Sequence, residues 1–82
     1  MEPLLDVVSV VPQQDYTLLL TFDNNEQRLF DMRSCLEKKP FLKLKSLPFF
    51  MTARVEEGTV VWPGNIDIDP ETLWHCSRVV QS

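Results

Sequence analysis

The stretch Asp15–Met32, "DYTLLLTFDNNEQRLFDM", sets the frame for the whole chain. Tyr16, Leu18, Leu20 and Phe22 recur with the two-residue period of a β-strand, and Thr17, Leu19 and Thr21 take the other face. Asp23-Asn24-Asn25-Glu26 then supplies turn chemistry, because asparagine tolerates the left-handed backbone that a tight hairpin needs. Gln27 to Phe30 returns as the second arm. An antiparallel hairpin is therefore the seed.

On its N-terminal side, "LLDVVSVVPQQ" reads as a strand from Val7 to Val11 that stops at Pro12, which lacks a donor for the next rung. On its C-terminal side, "DMRSCLEKKPF" predicts a short helix capped by Asp31, with Met32, Cys35 and Leu36 on its apolar stripe and Pro40 ending it. "FLKLKSLPFFMTARV" predicts a loop carrying one helical turn through Pro48, Phe49 and Phe50, its aromatics docked on the sheet. "ARVEEGTVVW" is a second hairpin, with Val55 incoming, Glu57-Gly58 at the turn, and Val60, Val61 and Trp62 outgoing.

After the turn "PGN" and a brief extended "IDID", Asp69-Pro70-Glu71-Thr72 marks a helix start, with the acid at N-cap and proline at the first helical position. Leu73, Cys76 and Val80 are expected on the packed face of this last helix, with Val79 flanking. The sum is α+β: a small antiparallel β-sheet built from two hairpins plus an N-terminal strand, with short helices on one face and a C-terminal helix. At 82 residues the chain is read as a single domain, residues 1–82.

Composition narrows function. A net charge of −4 opposes direct binding of nucleic acid, which needs a concentrated basic footprint, and it suits a small basic protein as partner. The one basic run, with Lys38, Lys39, Lys43 and Lys45, reads as a solvated face. Cys35 and Cys76 have no metal-ligand spacing and read as partly buried apolar residues in a reducing compartment. "MEPLLDVVSVV" carries an acid where a signal peptide carries positive charge, and no apolar run is long enough to span a bilayer, so the expected location is the cytoplasm with no membrane partner.

Chemistry-bearing residues are sparse. Gly58 and Gly64, both in turns, are the only glycines, so there is no phosphate-cradling loop. Asp67 and Asp69, two apart on a strand and followed by His75 and Cys76, form the one cluster that invites a metal or acid–base reading. Against it, Asp69 already has a role as helix cap, and His75 lacks the partners that zinc spacing requires. Trp62-Pro63 sits where a strand ends, since proline suits an edge, and a rim tryptophan is a favoured protein-contact anchor. Trp62, Pro63 and Asp67 are accordingly the interface candidates. No catalytic, cofactor or metal residue is assigned.

Four pieces in order, "VVSVVP", "YTLLLTFDNNEQRLFDM", "ARVEEGTVVWP" and "IDIDPETLW", resemble the bacterial family catalogued as domain of unknown function 2442. Its members show a strand ending at proline, a Tyr-x-Leu-x-Leu-x-Phe hairpin followed by Phe-Asp, and a Gly-Thr-hydrophobic-x-Trp-Pro segment leading to Asp-Pro-acid-Thr-Leu. Where the family carries Asn-Gly in two turns, this chain has Asn24-Asn25 and Gly64-Asn65, which retain tolerance of positive φ. Some members are fused to a helix-turn-helix domain, for which no room is seen after the last helix here, and many stand beside a second small protein in a layout like toxin–antitoxin pairs. With the acidic charge and the absence of a catalytic constellation, the resemblance points to a non-catalytic interaction domain acting through a partner protein as an antitoxin or regulatory adaptor does, and the small size of the chain favours a homodimer. The alternative is a small metal-dependent or hydrolytic enzyme using Asp67, Asp69 and His75.

Overall fold

A computed structural model of the protein describes residues 5–39 and 41–80. Pro40, the expected end of the first helix, lies outside the described residues, as do the first four residues of the leader reading. Strand β1 (Val7–Pro12) pairs with β2 (Thr17–Phe22), and β2 pairs with β3 (Gln27–Asp31), both antiparallel. A 3₁₀ helix (Met32–Cys35), a second (Phe41–Lys45) and helix α1 (Leu47–Phe50) lead to β4 (Arg54–Glu56), β5 (Thr59–Trp62) and β6 (Ile66–Ile68). Helix α2 (Pro70–Cys76) and the two-residue strand β7 (Arg78–Val79) follow.

The class is α+β and antiparallel, as the sequence predicts, but the strands divide between two sheets. One has the order β1-β2-β3-β7 and the other β4-β5-β6. The two meet where the Val7 N–H donates to the Gly58 carbonyl at 3.0 Å, beside a bulge between Val7 and Ser9. That bulge turns Val7 into the core while Val8 stays exposed.

Period two decides what is buried. Leu18, Leu20, Phe22 and Phe30 from the first sheet face Val60, Trp62, Ile66 and Ile68 from the second, and Met32, Leu44, Phe50 and Leu73 close the same core from the helices. Asp31 caps the first 3₁₀ helix as expected, accepting from the Arg33 N–H at 2.9 Å. Ser46 precedes α1, whose Pro48 sits in the first turn, though the serine side chain makes no capping bond.

Tyr16 departs from the strand reading. Its φ is 67°, a left-handed conformation that a bulky residue rarely adopts. Three restraints hold it there: its N–H donates to the Gln13 carbonyl, its carbonyl accepts from Met32, and its hydroxyl donates to the Lys45 carbonyl. The ring still reaches the core, 5.2 Å from that of Phe50.

The last helix is shorter than its apolar spacing suggests. Ser77 is extended at φ −100° and ψ 170°, and Arg78–Val79 pair with β3 instead of continuing the helix. Leu73 is buried as expected, whereas Cys76 and Val80 are exposed. Trp74 packs against the core in their place, edge-on to Phe22 at 5.0 Å. The β-branched Val79-Val80 pair finds a free sheet edge, and that wins over helix propensity.

Candidate functional site

Alternation along β5 points Val60 and Trp62 inward and leaves Val61 between them on the outer side. Trp62 is therefore not a rim anchor: it is 2% exposed, and its indole N–H donates to the Phe50 carbonyl at 2.9 Å. A proline directly after the strand does not force the preceding side chain outward, because the pleat has already assigned it. Pro63 and Asp67 are exposed, and together with Trp62 they line an open depression of about 300 Å³. Gly64 (φ 90°) and Asn65 (φ 64°) make its turn, and Arg54, Val61 and Asp67 stand in register across its floor. Arg54 is engaged by Glu56 at 2.6 Å.

The enzyme alternative needs Asp67, Asp69 and His75 to converge. Asp69 is committed to the helix start, where it accepts from the Thr72 N–H at 3.1 Å and from the Thr72 hydroxyl at 2.7 Å. That hydroxyl bond, above all, holds the Asp69 carboxyl below its ordinary 3.8. Asp67 lies on the outer side of the three-stranded sheet, and His75 is exposed on α2. Among the described residues no group of three or more His, Cys, Asp or Glu side chains stands where a metal could be held.

The surface that sequence reading passed over is the outer face of the four-stranded sheet. With Leu18 and Leu20 turned to the core, Thr17, Leu19 and Thr21 face away from it. Register places Val11, Leu19 and Leu29 in one row across β1, β2 and β3, continued by Arg78 on β7. Ser9, Thr21 and Gln27 form a neutral polar row on one side. On the other side Thr17 pairs with Asp31, and this end opens into a depression of about 230 Å³ lined by Asp15, Arg33, Leu29, Cys76 and Arg78 among others.

The electrostatics of that end are balanced. Arg33 holds Asp31 at 2.7 Å, and its hydrogen bond, more than any other influence, keeps the Asp31 carboxyl below 3.8. The Thr17 hydroxyl, 2.6 Å away, does the same for Asp15. A polar-out alternation would put no aliphatic row here, so the legible signal was the run of three leucines, which guarantees one facing outward.

Elsewhere the bland readings prevail. The four lysines are exposed, and Lys45 is engaged by Glu37 at 2.8 Å. Cys35 is half-buried and Cys76 exposed, which corrects the expectation of burial for Cys76, and both thiols are free. No helix among the described residues is long and apolar enough to cross a membrane.

A family profile described as "Protein of unknown function (DUF2442)" matches residues 7–78, and the chain belongs to that family. No curated protein and no solved structure matches it.

Proposed function

We propose that this member of the family is a non-catalytic interaction domain of the cytoplasm, acting through protein contact in the manner of an antitoxin or regulatory adaptor. The carrying observation is the outer face of the four-stranded sheet. An antiparallel sheet that shows its second face to water ordinarily alternates polar residues there. Here Val11, 48% exposed, leads an aliphatic row with Leu19 and Leu29. Rows of this kind, rimmed by polar groups, mark protein contact surfaces. The net charge of −4 further suits a small basic protein within the assembly.

The test is the size of the tagged chain in extracts of its native cells. The wild-type chain should elute well above its 9.6 kDa mass. Val11→Lys and Leu29→Lys should reduce that size, with mass spectrometry identifying which protein component is lost with the contact. A wild-type chain that elutes as a free monomer would overturn the proposal.

A further inference from the structure

We infer that the occupant of the outer face is a second copy of this chain, packed sheet on sheet about a two-fold axis. The inference rests on the reading of that face as a protein contact surface.

Charge chooses between occupants. The chain is acidic, yet the row is neutral and the fringe at its Asp15 end is balanced, holding two carboxylates, Asp15 and Asp31, and two guanidiniums, Arg33 and Arg78. A neutral face offers a basic partner no net attraction and an acidic one no relief. It does allow an identical acidic chain to approach here without net repulsion.

Geometry then fits an isologous contact, in which the same patch meets itself. A two-fold axis along β2 exchanges the β1 and β3 sides and keeps the two ends of the strands in place. Leu19 meets the partner's Leu19, and Val11 lies over the partner's Leu29. Asp15, on the connection from β1 to β2, comes opposite the partner's Arg33, which follows β3, and the reciprocal pair forms by symmetry. Two twisted sheets packed this way, about 10 Å apart, form a sandwich whose seam is the aliphatic row.

Sedimentation equilibrium of the purified chain, over roughly micromolar to submillimolar concentration, tests this. The wild-type chain should reach twice its 9.6 kDa mass. Val11→Lys and the milder Val11→Thr should weaken self-association by at least about tenfold, with unchanged circular dichroism. Leu42→Lys, at a comparably exposed apolar residue (42%) on the second 3₁₀ helix, should leave it intact. A wild-type chain that stays monomeric throughout overturns the inference, and so does a dimer broken by Leu42→Lys but not by the Val11 variants. If the purified chain is monomeric while the native-cell extract still shows a complex lost on Val11→Lys, the second copy is refuted and the contact surface stands.

Discussion

The guanidinium of Arg28 lies 3.7 Å from the centre of the Trp74 ring, joining β3 to a helix 46 residues further along the chain. The same group donates to the carbonyls of Trp74 at 3.1 Å and Ser77 at 3.4 Å, so it caps the C-terminal end of α2 as well as covering its tryptophan. Glu26 fixes it from the other side at 2.7 Å. At 16% side-chain exposure, water screens these contacts only in part.

Arg28→Ala should therefore destabilise the chain by about 2 kcal/mol, since stacking and charged hydrogen bonds are lost together. Arg28→Lys should recover no more than about half, because an ammonium lacks the planar fork that stacks and bonds at once. Urea unfolding measures both, and a double-mutant cycle with Trp74→Leu should give a coupling of about 0.5–1.5 kcal/mol.

Trp62→Phe isolates one hydrogen bond. It keeps an aromatic ring beside Phe50 but removes the indole donor at 2.9 Å, leaving the Phe50 carbonyl with only the longer bond from the Ala53 N–H at 3.3 Å, at a cost of about 1 kcal/mol. The change should appear in the unfolding midpoint. A variant as stable as wild type would show that the Ala53 N–H alone satisfies this carbonyl.

The two glycines should respond differently to alanine. Both have positive φ, 79° at Gly58 and 90° at Gly64. A methyl group at Gly64 meets only the Lys43 Nζ at 4.0 Å, so Gly64→Ala should cost about 1 kcal/mol of backbone strain. At Gly58 it would come within 2.6–2.8 Å of the Asp6 side chain, next to the bond that joins the two sheets, adding about 1–3 kcal/mol. Thermal melts of the two variants should rank in that order.

Acid should erase the Asp69 cap. Its folded pKa is lowered from 3.8, chiefly by the Thr72 hydroxyl, so the unfolded chain binds the proton more readily. The stabilisation is complete above the unfolded value and is lost as pH falls below 3.8 through the folded value. Asp69→Ala should thus cost about 1 kcal/mol at neutral pH, and the gap from wild type should close in acid. A gap independent of pH would mean that the carboxylate charge contributes nothing to the cap.

Turns and caps were legible in the sequence because each is a local matter. Asn25 (φ 69°), Gly58, Gly64 and Asn65 stand at positive φ, where their residue types predict turns. Asp31 and Asp69 bond the N–H groups that N-cap aspartates are expected to bond. Tyr16 broke the pattern, since nothing local favours a tyrosine at φ 67° and only Gln13, Met32 and Lys45 together hold it there.

The sequence by itself determined the antiparallel α+β class, the positions of the first six strands and the residues that cap and turn, all set by spacings of a few residues. Only the tertiary structure decided that Trp62 is core while Leu19 faces outward, that the strands form two sheets, that Val79 leaves the helix for an edge of β3, and that Arg28 reaches Trp74. The physical reason is distance along the chain. A period assigns side chains to two faces but does not say which face a distant segment will cover, and a sheet edge or an aromatic ring becomes a partner only after the chain has folded back upon it.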